Sequence, residues 1–488
     1  MNVYNTLTRT KEELVPRVPG EVRMYVCGVT VYDLCHIGHA RSAIVFDVIR
    51  RYLAFKGYRV TFVKNYTDVD DKIIRRAQGE GVSATEISEK YIAEFARDMA
   101  AIGVLPADVE PKATAHIREM IELIESLMAK GFAYTVEGDV YFEIARFPAY
   151  GKLSGKNLDE LLAGARVDVD ERKRDPRDFA LWKAAKPGEP AWESPWAPGR
   201  PGWHIECSAM SMEYLGESFD IHGGGEDLIF PHHECEIAQS EAATGRPFAR
   251  YWIHNGFVNL GAEKMSKSLG NTLLIREIVK RHAADAVRLW LLGTHYRNPV
   301  DFAEEYVENA GRVVDGLWQL IAHARTLAEG QTVAAFERRP NESLERFFSG
   351  VEEQTPEEYP TKPFVGTWLE RFQTAMDDDF NTPEALAVLF SIRAQLRSLK
   401  DETGQIRSFV FLTRLLLTLA NVLGLLQKEP EAMPEEIRAR VEILLGQRDE
   451  ARKRRDWARS DALRNELHKL GVVVEDTPAG TRWSWQGL

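Results

Sequence analysis

Residues 22–66, VRMYVCGVTVYDLCHIGHARSAIVFDVIRRYLAFKGYRVTFVKNY, decide the fold of this 488-residue chain. Val22–Val31 is apolar and β-branched, which is typical of a buried strand. Apolar residues then recur at helical spacing over Ile37–Phe55, and Arg59–Tyr66 is a second strand. Strand, helix and strand over this length form a βαβ unit, which predicts a parallel sheet. Ligands of such sheets bind beyond the carboxyl ends of the strands.

The rest of the chain is too long for one compact core, so we expect several domains. Strand signals fade after about residue 303, and helical periodicity replaces them. We expect an α/β domain over 1–303 with an insertion over about 130–200, a helical stem over 304–330, a linker or insertion over 331–363, a helical bundle over 364–430 and a C-terminal segment over 431–488.

Bulk composition is that of a folded globular protein, with 44% hydrophobic and 28% charged residues. We find no signal peptide and no apolar run of membrane-spanning length, so a cytoplasmic protein without a membrane partner is expected. Four cysteines in so long a chain make no disulfide framework, and in a reducing compartment they indicate metal binding or catalysis.

Net charge is −12, which argues against nucleic acid only when it is averaged over the chain. Arg448–Lys469 holds eight Lys/Arg and five Asp/Glu, a local excess of +3. By itself this run is typical of a solvated, salt-bridged helix face.

Two short motifs are suited to phosphate. His36-Ile37-Gly38-His39 precedes the first long helix, where unpaired N–H groups and the helix dipole favour anions. Lys264-Met265-Ser266-Lys267-Ser268 lies on a loop after a strand, and its lysines can meet charge that builds on a leaving pyrophosphate. Each motif alone is weak, and the chain has no GxxxxGK[ST] P-loop.

Cysteine and histidine side chains are predicted to converge on one edge of the sheet and to bind zinc. Cys27 ends the first strand, Cys207 lies in Gly202–Ser208, and His232, Cys235 and Glu236 share a short helix after Pro231. His232 shares a helical face with both Cys235 and Glu236. Ligand softness favours Cys235, so spacing leaves the fourth ligand open.

Taken together, the two phosphate motifs resemble those of the class I aminoacyl-tRNA synthetases. The segments around Cys27–Thr30, Gly202–Ser208, His222–Asp227 and Phe230–Gln239 are similar to the cysteinyl-tRNA synthetases in particular. The resemblance implies a Rossmann-like catalytic domain and a helical anticodon-binding domain, the latter introduced by Asp377–Pro383. It also makes Arg448–Lys469 an RNA-facing helix in an RNA-binding C-terminal segment.

Residue roles follow from this resemblance alone. The zinc ligands would be Cys27, Cys207, His232 and Glu236; the catalytic residues His36, His39, Lys264 and Lys267; the ATP-binding residues Gly38, Gly224, Asp227, Ser266 and Ser268; and the cysteine-binding residues Gly28, Thr30, Thr67 and Trp203. One zinc ion per chain would select the thiol of cysteine over the hydroxyl of serine, which a shaped pocket alone discriminates poorly. Magnesium would accompany ATP.

The expected activity is ATP-dependent conversion of L-cysteine to cysteinyl-adenylate and its transfer to the 3′ end of tRNA(Cys) by a monomer. The alternative is a ligase with the same core that joins cysteine to a small amine such as an amino sugar. A small acceptor needs no RNA-sized surface, so the C-terminal helices argue against that alternative. A zinc- and RNA-binding module without activity would leave the Lys264–Ser268 loop without purpose.

Overall fold

The computed structural model describes residues 1–156, 172–261, 263–264, 272–328, 361–399, 406–429, 434–477 and 480–485. Its main sheet has four strands in the order β10-β9-β3-β4, and every neighbouring pair is parallel. The strands are β3 (Glu21–Thr30), β4 (Arg59–Thr67), β9 (Phe219–Gly225) and β10 (Ala249–Asn255). The parallel sheet predicted from residues 22–66 is therefore confirmed.

Helix α1 (Ile37–Phe55) connects β3 to β4, and its bounds agree with the prediction. Fourteen of its 19 residues are buried, because the sheet covers one side and helices cover the other. A helix enclosed in this way needs apolar residues around most of its circumference. The other helices of the catalytic half are α2 (Asp71–Glu80), α3 (Ala84–Ala101), α4 (Ile117–Ala129), α5 (Trp203–Leu215), α6 (Glu234–Thr244), α7 (Ile275–Arg281) and α8 (Ala284–Leu292).

An antiparallel sheet occupies the region predicted to be an insertion. Its order is β5-β6-β7-β8, formed by Ala133–Val136, Asp139–Phe142, Phe179–Ala184 and Gly199–Pro201. Glu137 and Gly138 connect the first two strands with φ of 51° and 91°, the left-handed pair that a tight hairpin needs. Smaller strands complete the catalytic half: β1 (Asn2–Asn5), β2 (Thr10–Glu13), β11 (Val258–Leu260), β12 (Glu263–Lys264) and β13 (Val300–Phe302).

Four helices follow in the described part of the chain: α9 (Glu304–Ala328), α10 (Thr361–Asp377), α11 (Thr382–Ser398) and α12 (Ile406–Val422). Helix α9 packs on both α8 and α12, so it joins the catalytic half to the bundle. Helix α10 begins at Thr361, inside the segment predicted to be a linker over 331–363, and the remainder of that segment lies outside the described residues. No helix of the described chain is both long enough and apolar enough to cross a bilayer.

The C-terminal segment has a small core of its own, which includes Val441, Leu463 and Val472. It contains α13 (Glu435–Lys453), α14 (Trp457–Lys469), β14 (Val472–Thr477) and β15 (Gly480–Trp485). The prediction of a single helix over Arg448–Lys469 is wrong, because the run spans two helices that meet at Arg454–Asp456, and its proposed contact with RNA stays a prediction. Arg448 is 2% exposed and faces this core rather than solvent.

Buried charges join α1 to the helices that follow the catalytic half. Asp47 accepts hydrogen bonds from Arg51 Nε at 2.9 Å and from Arg288 Nη2 at 2.6 Å. Arg288 also donates to the carbonyl of Leu423 at the end of α12. Nearer the end of α1, Tyr52 donates to Asp377 at 2.6 Å. The last turns of α1 are thus fixed to the bundle.

Candidate active site

Four side chains of the predicted metal centre meet at the carboxyl-terminal half of β3. Cys27 lies on β3 and Cys207 on α5, while Glu236 lies in the first turn of α6. His232 is not on that helix as predicted, because α6 begins only at Glu234 and residues 229–233 form a wide turn. One ligand atom from each of the four residues lies within 4.8 Å of the other three, and all four residues are buried.

A second set of four possible ligands overlaps the first. Cys27 and Glu236 belong to both sets, and His222 and His233 replace Cys207 and His232. Cys235 belongs to neither set of the described residues, since its sulfur forms a hydrogen bond with the Tyr150 hydroxyl at 3.2 Å instead. The geometry therefore favours Glu236 over Cys235, the choice that spacing left open.

Glu236 is the centre of the polar contacts. Its Oε1 lies 3.1 Å from His232 Nε2 and 3.3 Å from Cys27 Sγ, and its Oε2 lies 2.8 Å from His222 Nε2. Burial alone would raise the pKa of Glu236, but His222 and His232 hold it well below its usual range. A fully buried carboxylate is tolerated because its partners favour its charged form.

The pKa values of the two cysteines in the cluster are shifted in opposite directions. Burial raises the pKa of Cys27 well above its usual range. Burial would also raise the pKa of Cys207, but the hydrogen bond from Cys27 and the proximity of His232 lower it to about 6. Burial alone would lower the pKa of His232, but Glu236 and Cys207 raise it to about 10. The two thiols of the cluster therefore differ, since neighbouring groups lower the pKa of Cys207 while burial raises that of Cys27.

Further histidines surround the cluster; the sequence analysis placed His233 on the helix beside His232 but assigned it no role, and it missed His204 and His254. His204 Nδ1 lies 2.9 Å from His232 Nδ1, and His233 Nδ1 lies 2.8 Å from His254 Nε2. His222 stacks on Trp252, with 4.4 Å between ring centroids. His222 and His254 lie on the adjacent parallel strands β9 and β10. Their proximity depends on the pairing of these strands and cannot be recognised from their spacing in the sequence. Ring contacts of this kind fix the orientation of the ligating imidazole.

The predicted cysteine-binding residues border the same cluster. Trp203 stacks on His232 at 4.2 Å between ring centroids and remains 39% exposed. Thr67 donates a hydrogen bond from its hydroxyl to Oε2 of the buried Glu206 at 2.8 Å. Gly28 donates from its N–H to Asn65 Oδ1 at 2.8 Å, and a β-carbon at Gly28 would lie only 1.5 Å from the Asn65 carbonyl oxygen. Thr30 pairs with Thr67 across the two strands.

His36 and His39 cap the start of α1 reciprocally. Gly38 donates its N–H to His36 Nδ1, and His36 donates its N–H to His39 Nδ1, both at 3.1 Å. Because each Nδ1 accepts, the proton of each neutral ring lies on Nε2. A β-carbon at Gly38 would lie 2.9 Å from the His36 ring, so this close packing needs glycine. Both histidines are thereby held as Nε2 donors at a helix N-terminus.

The chain that follows the second phosphate motif contacts the first at Leu273 and Leu274. Ile37 donates its N–H to the Leu273 carbonyl at 2.9 Å, and His36 pairs with Leu274. Lys264 lies on β12, while Met265, Ser266, Lys267 and Ser268 lie outside the described residues. The end of this loop therefore returns beside the start of α1.

Two further predicted ATP-binding residues lie at the end of β9. Gly224 is buried, and a β-carbon there would lie 3.0 Å from the His233 ring. Asp227 is exposed, and its carboxylate turns back towards Gly225. Gly224 thus lets the histidine cluster approach the strand, and Asp227 faces the open side of the sheet edge.

Comparisons with known proteins match the whole chain. The class I (C) catalytic domain of tRNA synthetases matches residues 13–312, a DALR domain matches 371–427, and the cysteinyl-tRNA ligase anticodon-binding domain matches 435–483. Cysteine–tRNA ligases of Thermodesulfovibrio yellowstonii, Syntrophobacter fumaroxidans and Geobacter metallireducens are each 51% identical, over 99% of this chain and 99% of their own.

A solved structure with a similar fold is a methionyl-tRNA synthetase of Mycobacterium tuberculosis in complex with methionyl-adenylate. It has a TM-score of 0.59 at 18% identity and covers 83% of this chain and 91% of its own. This likeness concerns the fold alone. Together with the family models and full-length relatives, it leads to one conclusion: the chain belongs to the cysteine–tRNA ligase family of class I aminoacyl-tRNA synthetases.

Proposed function

We propose that Cys27, Cys207, His232 and Glu236 hold one zinc ion at the base of a pocket for L-cysteine. Family membership assigns the reaction: the chain activates cysteine with ATP and joins it to tRNA. The observation that carries the metal proposal is the clustering of two sulfurs, one imidazole and one carboxylate, with their ligand atoms within 4.8 Å of one another.

The donor set fits zinc. Thiolate, imidazole and carboxylate are its ordinary protein ligands, and four of them suit its tetrahedral preference. Bound there, the ion would supply a soft Lewis acid that favours the sulfur of cysteine over the oxygen of serine. The second set, with His222 and His233, has one sulfur instead of two and is the poorer match to a soft cation.

The chain's own residues would position cysteine against ATP. Trp203, which stacks on His232, and Thr67, which donates to Glu206, would line the cysteine pocket together with Gly28 and Thr30 of β3. His36 and His39 accept backbone hydrogen bonds through Nδ1 at the start of α1, and their Nε2 protons would be donated to phosphate oxygens. Gly38, Gly224 and Asp227 would complete the binding of ATP, which brings its own Mg²⁺.

Lys264 and Lys267, with Ser266 and Ser268, would then act on the leaving pyrophosphate. The carboxylate of cysteine attacks the α-phosphorus of ATP, the bond to the β-phosphate oxygen breaks, and pyrophosphate leaves. Charge grows on that leaving group, so a lysine that meets it accelerates the step. The return of Leu273 beside Ile37 supports this role because it brings the loop's end to the phosphate-binding helix.

The acyl group finally passes from the adenylate to a ribose hydroxyl at the 3′ end of tRNA(Cys), with release of AMP. The matches over 371–427 and 435–483 support an RNA acceptor. The alternative ligase with a small amine acceptor receives no support from these matches. We further propose that the enzyme is cytoplasmic and acts as a monomer. Sedimentation of the purified chain with and without tRNA tests the oligomeric state.

The decisive experiment is ATP–pyrophosphate exchange with cysteine or serine, before and after zinc is removed by a chelator and then restored. We expect exchange with cysteine only, its loss in the zinc-free protein and its recovery with zinc. Equal exchange with serine, or full exchange by metal-free protein, would contradict the proposal.

A further inference from the structure

Arg393 and Arg397 form a pair of like charges on helix α11, and the function proposed above gives them no role. They are four residues apart and are therefore neighbours on one face of the helix. Like charges at this spacing destabilise a helix, so a compensating group is expected beside them. Arg393 is half-buried and Arg397 is exposed. The pair thus lies at the surface of the bundle, where a ligand can reach it.

Gly316 of α9 lies against both guanidinium groups. A β-carbon at Gly316 would be 2.4 Å from Arg393 Nη2 and 3.4 Å from Arg397 Nη2. Both side chains therefore reach the same point of the neighbouring helix, which glycine leaves open. Because the two Nη2 atoms flank one point, a single phosphate group is large enough to contact both of them.

No carboxylate of the described chain compensates this pair. Arg393 Nε is buried and has no hydrogen-bond partner, and neither arginine forms an ion pair with a described residue. Burial lowers the pKa of Arg393, and the nearby charge of Arg397 lowers it further. A buried polar atom without a partner is an exception in folded proteins, and it indicates a water, ion or ligand that completes the site.

Two other arginines of the same region do have partners. Arg325, which also lies on α9, forms an ion pair with Glu429. Arg371 of α10 lies over the ring of Trp368, with 5.0 Å between its guanidinium carbon and the ring centroid. The lack of a compensating group therefore distinguishes the pair on α11 from these neighbours.

We propose that Arg393 and Arg397 together bind a backbone phosphate of the tRNA. The inference rests on the tRNA-charging function proposed above. Guanidinium groups match phosphate oxygens with paired, charge-assisted hydrogen bonds, and an anion between two like charges removes their repulsion. The DALR match over 371–427 includes both arginines, and the anticodon-binding domain follows at 435–483. A phosphate contact of this kind supplies affinity and orientation but reads no base.

The double variant Arg393→Gln/Arg397→Gln tests the inference in full-length protein. Filter binding of a tRNA(Cys) transcript at salt concentrations from about 50 to 200 mM gives the dissociation constant and its salt dependence. We expect the dissociation constant to rise at least about 10-fold, because hydrogen bonds to a charged group are lost. The slope of log affinity against log salt should become shallower by about one to two, since each lost phosphate contact removes about one.

Stability separates this role from a packing role. The thermal midpoint of the double variant should stay equal or rise, because the change removes a like-charge pair and an unpaired buried donor. If the two arginines served only to pack α9 against α11, the midpoint would fall and the affinity for tRNA would not change.

Further variants separate charge from geometry. Arg393→Lys/Arg397→Lys should weaken tRNA binding and keep the salt slope, since lysine retains the charge and lacks the guanidinium fork. Gly316→Ala should also weaken binding, because its methyl group displaces Arg393 Nη2 while both charges remain. Arg325→Gln is the matched control, and it should leave affinity and slope unchanged because Glu429 already pairs with that charge.

ATP is the other source of phosphate, and pyrophosphate exchange without tRNA distinguishes the two. We expect cysteine-dependent exchange by the double glutamine variant to equal that of the parent, with the same KM for ATP. A raised KM for ATP with unchanged tRNA binding would overturn the inference, and so would an unchanged dissociation constant and salt slope for tRNA. If the parent itself neither catalyses exchange nor binds tRNA(Cys), the proposed function is wrong instead.

Discussion

Arg297 and Asp379 form an ion pair across 82 residues of sequence, with 2.7 Å between Nε and Oδ2. Asp379 is completely buried and also accepts from the Tyr4 N–H at 2.8 Å and from the Tyr296 hydroxyl at 2.7 Å. One carboxylate thus joins the N-terminal strand, the catalytic half and the start of α11. Asp378 beside it is exposed and pairs with Lys11 at 2.5 Å.

These neighbouring aspartates allow a matched prediction. Asp379→Ala leaves Arg297 and two further donors without their acceptor, so we expect a loss of about 3–5 kcal/mol in the free energy of unfolding. Asp378→Ala removes an exposed pair and should cost less than about 1 kcal/mol. Urea denaturation at neutral pH measures both. Equal midpoints for the two variants would show that Asp379 does not hold the halves together.

A second prediction separates capping from phosphate binding at His39. In His39→Asn the side-chain oxygen occupies the position of Nδ1 and can still accept the His36 N–H, but the Nε2 donor is lost. We expect this variant to fold as stably as the parent and to lose about 10²–10³-fold in cysteine-dependent pyrophosphate exchange. His39→Ala should lose that activity and also about 1 kcal/mol of stability. An Asn variant with full exchange activity would refute the phosphate role.

The fourth zinc ligand gives a third prediction. Glu236→Gln should weaken zinc binding by more than the 10–100-fold typical of an outer partner, since it alters a proposed ligand. Cys235→Ser, one residue away, should retain one zinc per chain because its sulfur contacts Tyr150 instead. Glu241→Gln on the same helix is the control for altered charge. The zinc content per chain after gel filtration measures the effect of each variant. Loss of zinc from Cys235→Ser would show that Cys235, and not Glu236, is the fourth ligand.

A fourth prediction concerns pH. Burial alone would raise the pKa of Asp71, but Lys183 and Arg200 bring it below its usual range. A carboxyl whose folded-state pKa is lowered stabilises the fold above its unfolded-state pKa, and this stability is lost as pH falls through the folded-state value. Asp71→Asn should therefore have a lower thermal midpoint than the parent at pH 7. The loss in free energy of unfolding should be about 0.5–1 kcal/mol, as is typical of a half-exposed ion pair.

The difference between Asp71→Asn and the parent should close as the pH falls below about 4. Thermal midpoints of both proteins at pH 7, 5 and 3.5 measure it. A constant difference at all three values would show that the ion pair with Lys183 and Arg200 is not the cause.

The sequence analysis predicted α1, β3 and β4 well because their apolar periodicity is a local property. It placed Cys27, Cys207 and Glu236 in one centre through a resemblance, whereas ligand softness alone favoured Cys235 and helical spacing allowed both. The start of α6 was placed too early, because Pro231 is compatible with a helix start but the wide turn over 229–233 postpones it. The basic run was read as one helix, since its charge pattern does not reveal the break at Arg454–Asp456.

The surroundings of the centre were beyond the sequence analysis for a different reason. His222, His254 and Tyr25 reach the cluster through the register of three parallel strands. Register between distant strands is set by the packing of whole layers and leaves no signal in the spacing of single residues.

Helix α1 has a consequence for how distant substitutions act. Its 19 residues measure about 28 Å along the axis, with His39 in the first turn and Tyr52 in the last. A tilt of about 2° about that distal end would displace the first turn by about 1 Å, which is enough to disturb a reacting geometry. Substitutions at Asp377 or Leu423, although far from any substrate, are therefore expected to change catalysis by tilting α1 and displacing its first turn.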